Sequence, residues 1–361
     1  MKEILLVLGT RPEAIKLCPL ILELYGREAF YVTVAVTGQH REMLAGVLES
    51  FGIRPQYNLA IMRKGQTLSE ITSAVLEGVS EILAKRSFDC VLVHGDTATA
   101  FAAALAAFYA GVHVMHIEAG LRTHDIHAPF PEEYNRRAIS LIADYHFAPT
   151  AWSAENLLKE GIPEERVFVT GNTGIDALRY AVRSEKKQDF SGNRMLLLTA
   201  HRRESLGEGM RSAFYGIKRA LLSHPDTVLV YPMHKNPKVR EVAEEVFAGC
   251  EQVRLIEPLD YPDFCRLLAD CYLVLTDSGG IQEEAPYFGK PVLVLRDKTE
   301  RPEGVAAGVL RLVGCGEEAV FASLCELLDH EESYRAMSHA ESPFGDGHAS
   351  ERIADILERV L

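Results

Sequence analysis

Three carboxylates stand where a buried strand should hand over to a loop or helix. Asp96 follows Val-His-Gly, Glu118 follows His-Ile, and Glu132, with Glu133 beside it, opens a helical stretch after Pro129-Phe130-Pro131. Solubility explains such positions poorly. Carboxylates that share a pocket push their pKa values apart and supply a proton acceptor and a proton donor together. For one of Glu132 and Glu133 the competing reading is compensation of the helix dipole. Among the histidines, His201 ranks first because it ends a strand within His201-Arg202-Arg203-Glu204, an imidazole beside two guanidiniums. His234 ranks next, and His94 and His116 are placed to orient the neighbouring acids. His113, His146, His224, His330 and His339 read as structural or solvated.

A second group of residues suits an anion. Ser278-Gly279-Gly280 follows an apolar run and opens a helix, leaving bare backbone N–H groups for a phosphate. The alternative is a tight turn with Ser278 as N-cap. Glu284 lies one turn further on, where a carboxylate either accepts two ribose hydroxyls or offsets the helix dipole. Arg11 and Lys16 flank the start of the first helix, and a guanidinium there is unfavourable unless an anion shares the site. No GxGxxG follows the first strand, and neither GxxxxGK[ST] nor HExxH occurs. Ser278 lacks the leading glycine of a GxSxG elbow, which argues against a serine hydrolase.

A parallel α/β frame would carry these residues. Apolar, β-rich runs at Ile4–Leu8, Tyr31–Val36, Cys90–Val93, Val112–Ile117, Tyr145–Ala148 and Arg166–Val169 alternate with helical periodicity, clearest over Leu68–Lys85, Ala98–Ala110 and Glu132–Ala143. Pro12 suits the first position of the first helix. A polar stretch, Ser184–Asn193, reads as a linker. Alternation restarts with Met195–Thr199, Thr227–Tyr231, Val253–Ile256, Tyr272–Thr276 and Pro291–Leu295. Two doubly wound domains follow, residues 1–183 and 184–361, with an amphipathic final helix, 350–361, that can pack back on the first. Ligands of such sheets bind beyond the carboxyl ends of the strands, where the polar motifs fall.

With 361 residues, 47% apolar and 25% charged, the chain is long enough for two cores and is of ordinary globular composition. Lys and Arg number 38 against 51 Asp and Glu, a net charge of −13, which disfavours nucleic acid and anionic membranes. The seven cysteines are scattered singly, with no CxxC pair and no Cys/His cluster at metal-ligand spacing. They read as reduced thiols in a cytoplasmic protein. No apolar run approaches the length of a membrane helix.

Together, Gly9-Thr10-Arg11-Pro12-Glu13, Thr37-Gly38-Gln39-His40, Gly95-Asp96-Thr97, His116-Ile117-Glu118-Ala119-Gly120-Leu121-Arg122-Thr123, Pro131-Glu132-Glu133-Tyr134-Asn135-Arg136, Gly171-Asn172-Thr173, His201-Arg202-Arg203-Glu204, Pro232-Met233-His234-Lys235-Asn236-Pro237, Asp277-Ser278-Gly279-Gly280 and Thr299-Glu300-Arg301-Pro302 resemble the non-hydrolysing bacterial UDP-N-acetylglucosamine 2-epimerases. The resemblance spans nearly the whole chain. It implies a GT-B-type fold of two Rossmann-like domains with an interdomain active-site cleft. It further implies interconversion of UDP-GlcNAc and UDP-ManNAc by loss and re-addition of UDP through a 2-acetamidoglucal, without cofactor or metal, in a cytoplasmic homodimer. By the same resemblance Asp96, Glu118, Glu132 and His201 are catalytic. Arg11, Lys16, Arg136, His234, Ser278, Gly279, Gly280, Glu284 and Arg301 contact substrate, and Gln39, His40 and Arg202 belong to a second, regulatory UDP-GlcNAc site. Three competitors remain: a hydrolysing relative releasing ManNAc and UDP, which Thr37-Gly38-Gln39-His40 disfavours, a GT-B glycosyltransferase, and a non-catalytic nucleotide-sugar sensor.

Overall fold

The structure is a computed structural model that describes residues 1–38, 41–61, 63, 65–181, 193–201 and 206–361, with 41–43 described by backbone alone. The first sheet holds β1 (Lys2–Leu8), β2 (Phe30–Val36), β3 (Tyr57–Asn58), β4 (Cys90–His94), β5 (His113–Ile117), β6 (Tyr145–Ala148) and β7 (Val167–Val169). Between them run α1 (Arg11–Tyr25), α2 (Arg41–Ser50), α3 (Leu68–Lys85), α4 (Ala98–Tyr109), α5 (Glu132–Ile142) and α6 (Ala151–Lys159), and α7 (Thr173–Ala181) follows β7. The second sheet holds β8 (Arg194–Thr199), β9 (Thr227–Pro232), β10 (Val253–Ile256), β11 (Leu273–Thr276), β12 (Val292–Val294) and β13 (Leu310–Leu312). Its helices are α8 (Glu208–Ser223), α9 (Pro237–Phe247), α10 (Tyr261–Asp270), α11 (Gly279–Glu284), α12 (Pro302–Ala306), α13 (Glu317–Asp329) and α14 (Glu331–Ser338), and α15 (Ala349–Val360) closes the chain.

Every described strand pair is parallel, in the orders β3-β2-β1-β4-β5-β6-β7 and β10-β9-β8-β11-β12-β13. Both orders reverse direction once, between β1 and β4 and between β8 and β11. A crevice opens at such a switch point because the connections leave in opposite directions. Arg11 and Asp96 follow β1 and β4, and His201 and Ser278 follow β8 and β11, the strands beside each crevice, while Glu118 follows β5, one strand further out.

Central strands buried on both faces explain the unbroken apolar runs. Ile4, Leu6 and Leu8 of β1 pack with α1, while Leu5 and Val7 face the alanine-rich α4. In the second sheet Leu196 and Leu198 pack with α8, and Met195 and Leu197 with α10.

The chain divides into two compact units, Met1–Ala177 with Gly345–Leu361, and Leu178–Phe344. The final helix thus belongs to the first unit. Asp176 accepts from the N–H groups of Ala349 (3.1 Å) and Ser350 (2.7 Å), placing a carboxylate at the N-terminus of α15. Ile353, Ala354, Ile356 and Leu357 bury its apolar face, and Arg27 of the α1–β2 turn reaches Asp355 and Glu358.

Two strands escape sequence periodicity, β3 and β13, because edge strands of two or three residues are too short to show it. Pro12 takes the second helical position rather than the first, since Thr10 is the cap and Arg11 is already helical. The expected linker 184–193 lies outside the described residues except for Asn193. Among the described residues, no helix is long and apolar enough to cross a membrane.

Candidate active site

At the first switch point, the turn after β1 passes the first turn of α4 and the end of β2 closely enough to demand glycine. A methyl on Gly9 would lie 2.3 Å from Thr99 Oγ1 and 2.8 Å from Thr37 Oγ1. Glu13, fully buried, joins that turn to the loop after β4: Oε2 accepts from the N–H groups of Thr10 (2.6 Å) and Gly9 (3.1 Å), and Oε1 accepts from the Thr97 hydroxyl (2.8 Å). Burial pushes its carboxyl pKa up against those hydrogen bonds. Beside this latch lies a cavity of about 560 Å³ whose walls include Arg11, Lys16, Asp96, Thr97 and Glu118.

Asp96 and Glu118 are each held against a cation. Lys16 Nζ donates to Glu118 Oε2, and His94 Nε2 stands 3.6 Å from the same oxygen. Arg136 donates to Asp96 Oδ2 through Nε (3.0 Å) and Nη2. Burial raises the Asp96 pKa; the Arg136 charge opposes this, while the charges of Glu118 and Glu132 add to it. Glu132, half-buried on the first turn of α5, therefore shares a field with the other two acids. Its neighbour Glu133 is fully buried and does different work: it accepts from Arg136 Nη1 and from the N–H groups of Thr123 and His124, all at 3.1 Å. Asn135 Nδ2 donates to the Asp96 carbonyl at 2.9 Å. Glu118 sits at φ 60°, a left-handed conformation costing a non-glycine residue roughly 1 kcal/mol, as though the strand end were bent to aim the carboxylate.

The second unit assembles different chemistry at its own switch point. The buried carboxylate of Asp277 accepts from the His201 N–H (2.8 Å) and lies 3.4 Å from His201 Nδ1. The His201 ring stacks on His234, with centroids 5.4 Å apart and 17° between planes. Ser278 occupies the N-cap position of α11, but its side chain makes no capping bond. Gly279 has a steric reason to be glycine: a methyl there would lie 2.7 Å from Arg301 Nη1, so the guanidinium lies against the helix start. Glu283 fixes Arg301 through Nε (2.7 Å) and Nη2 (2.6 Å). A methyl on Gly280 would stand 4.0 Å from Glu284 Oε1, which places that carboxylate one turn along. Burial opposes ionisation of Glu300, yet hydrogen bonds from Arg296 and the charge of Arg301 hold it down to about 2.

The structure gathers Arg11, Lys16, Asp96, Glu118, Glu132 and Arg136 in the first unit, and His201, His234, Ser278, Gly279, Gly280, Glu284 and Arg301 in the second. Gln39, His40 and Arg202 lie outside the described residues. Sequence reasoning missed the supporting acids Glu13 and Asp277 and the part Glu133 plays with Arg136. Only Glu13 carried a local signal, the Thr10-x-x-Glu13 capping box.

Two Rossmann-like units whose strand ends pair carboxylates with cations, and set a guanidinium over a glycine turn, define an enzyme fold equipped for an anionic ligand and for proton transfer. Comparison with known proteins narrows that class. The sequence matches the UDP-N-acetylglucosamine 2-epimerase family over residues 22–358. It is 51% identical to the UDP-N-acetylglucosamine 2-epimerase of Bacillus subtilis, covering 98% of this chain and 94% of that one. Against the Escherichia coli K12 enzyme of the same name it is 47% identical, covering 99% and 98%. The structure of UDP-GlcNAc 2-epimerase from Neisseria meningitidis bound to UDP-GlcNAc superposes with a TM-score of 0.91 at 46% identity, covering 99% of this chain and all of that one. The chain belongs to the UDP-N-acetylglucosamine 2-epimerase family and is an enzyme of the epimerase class.

Proposed function

We propose that the chain interconverts UDP-N-acetylglucosamine and UDP-N-acetylmannosamine, without hydrolysis, through a 2-acetamidoglucal and bound UDP. The observation that carries this reading is the pair of cation-held carboxylates, Asp96 and Glu118, on adjacent strand ends beside one cavity with Arg11. The proton on carbon 2 is hardly acidic until the bond from carbon 1 to the diphosphate stretches. A base is therefore useful only where the leaving diphosphate is held and its charge offset. As the carbon 2 proton passes to a carboxylate, the C–H pair becomes the C1=C2 double bond and the C1–O pair departs with UDP. Returning a proton to the opposite face and UDP to carbon 1 completes the inversion. Two faces require more than one acid/base group, and Asp96, Glu118 and Glu132 supply them. No net oxidation occurs.

In this reading His201, His234, Ser278, Gly279, Gly280 and Arg301 serve the UDP moiety, Glu284 its ribose, and Arg11, Lys16 and Arg136 offset negative charge. Lys16 and Arg136 start out engaged with Glu118 and Asp96. An arriving diphosphate competes for those cations and leaves the carboxylates more basic, so binding prepares the base. The enzyme acts as a cytoplasmic homodimer, with Gln39, His40 and Arg202 in a regulatory site.

Incubation with UDP-GlcNAc in deuterated water, followed by nuclear magnetic resonance, tests the reaction. The expected product is UDP-ManNAc carrying deuterium at carbon 2. Product without exchange removes the elimination step, and accumulation of free ManNAc replaces this reading with hydrolysis.

A further inference from the structure

At the end of α8, the His224 ring meets the last turn of α13. His224 Nδ1 is 2.7 Å from the Ala220 carbonyl oxygen, which can only accept, so Nδ1 carries the proton. The other ring nitrogen, Nε2, lies 3.1 Å from Asp329 Oδ1. In a neutral ring, that contact sets a lone pair against a carboxylate oxygen. Either a second proton or a cation must stand between them. Cys325 comes one helical turn before Asp329, and its Sγ, a ring nitrogen of His224 and an Asp329 carboxylate oxygen all lie within 4.8 Å of one another.

Three further features suit a cation at this place. A ring N–H given to a backbone carbonyl is the usual outer arrangement of a metal-ligating histidine, because it fixes the tautomer with the other nitrogen outward. Both α8 and α13 end here, and helix C-termini carry partial negative charge. The neighbouring arginines are committed elsewhere: Arg219 to Glu317 and Glu318, and Arg194 to Asp226 and the Leu328 carbonyl.

We propose that His224 Nε2, Cys325 Sγ and the Asp329 carboxylate form a site for one zinc-type divalent ion. Imidazole, thiolate and carboxylate form a borderline donor set of the kind zinc takes, and the exposed Asp329 leaves the fourth position open to water. Tetrahedral ligands about 2.0–2.3 Å from the metal stand about 3.3–3.7 Å apart, so binding an ion would draw the three groups closer together than the 4.8 Å within which they now lie. Burial and the Asp329 charge keep the metal-free thiol protonated, so binding releases that proton. In this parallel unit α8 starts at the carboxyl ends of the strands and finishes at the other edge of the sheet. The ion therefore staples two helix ends on the side away from His201 and Ser278.

Cobalt(II) titration of the reduced full-length protein is the test. A thiolate-to-cobalt charge-transfer band and four-coordinate ligand-field bands should grow to one equivalent. The charge-transfer band should be lost in Cys325→Ser and kept in Cys250→Ser and Cys315→Ser. Zinc should raise the melting temperature of the wild type but not of Asp329→Asn, a change at an exposed residue. Absence of the band in the wild type, its survival in Cys325→Ser, or an equal zinc shift in Asp329→Asn would overturn the proposal and leave a plain imidazolium–carboxylate pair.

Discussion

Glu13 has no acid–base part in the proposed reaction, yet three donors converge on its carboxylate at the wall of the cavity. Replacing it with alanine strands the buried N–H group of Gly9, at a cost of about 1–3 kcal/mol, and removes the acceptor of the partly buried Thr10 N–H and Thr97 hydroxyl. Glutamine keeps one oxygen for the backbone donors, and its amide can donate to the Thr97 hydroxyl. We therefore expect Glu13→Ala to melt lower and to lose about 100-fold in kcat/KM, mainly through kcat, whereas Glu13→Gln stays within about tenfold of wild type. Equal losses in both variants would mean that the charge itself, rather than the latch, is what matters. The contrast between Glu13 and Asp96 explains what could be read in advance. Asp96 announces itself because a strand end is a local feature. The use of Glu13 depends on Thr97, 84 residues away, which no spacing rule reaches. Asp277 behind His201 and the His224–Cys325–Asp329 cluster were hidden for the same reason, so a search for metal-ligand spacing passed over the latter.

Strands show how burial of an element sets its pH response. β5 and β6 pair His116 directly with His146, both rings buried, with centroids 6.4 Å apart. His116 Nε2 donates to the Gly95 carbonyl, while neither ring nitrogen of His146 has a hydrogen-bond partner among the described residues. Burial lowers His116 to about 3 despite the Gly95 bond, and lowers His146 to about 4 with help from the Arg122 charge. Both folded values lie below that of a free imidazole, so the unfolded chain binds protons that the folded one refuses. Stability from this pair is complete above pH 6.5 and declines as pH falls towards 4 and 3. For His146 the full loss is roughly 3 kcal/mol. His146→Phe keeps the ring volume and removes the titration. Denaturant unfolding between pH 7 and 4.5 should show a shallower decline in the variant, by about one proton; parallel curves would refute the assignment. Element types were legible where the runs were long, as in β1, α3 and α4, because central strands and amphipathic helices repeat their pattern. Those of β3 and β13 were not, being set by pairing at a sheet edge. The placement of α15 depends on Asp176 and the face of α1, neither of which its own sequence reveals.

For the whole molecule, the −13 net charge excludes long polyanions, yet both switch points concentrate cations among acids, so placement rather than total decides the ligand. The same charge bears on assembly, since a second copy is repelled unless it meets an uncharged surface. α4 supplies one: it contains no charged residue, yet Phe108 is 54% exposed and Tyr109 70%. Its neighbour α5, which packs against α4, adds Tyr134, which meets Phe101 edge-on at 5.9 Å, and, seven residues on, Leu141 at 83% exposure. A two-turn repeat of exposed apolar side chains on two packed helices is more continuous than scattered surface hydrophobics, and it marks the face where the proposed homodimer would form. Covering such a side chain contributes about 1.5–3 kcal/mol, so a charge placed at its centre should dissociate the pair. Sedimentation velocity should give wild type twice the 40.0 kDa chain mass and Leu141→Asp the single mass. Leu222→Asp, at an exposed leucine of α8 in the other unit, should remain dimeric. A monomeric wild type, or a dimer that survives Leu141→Asp, would show that this face has another purpose. Because each copy is acidic, raising the salt should tighten the wild-type dimer, the reverse of what an interface held by ion pairs would do.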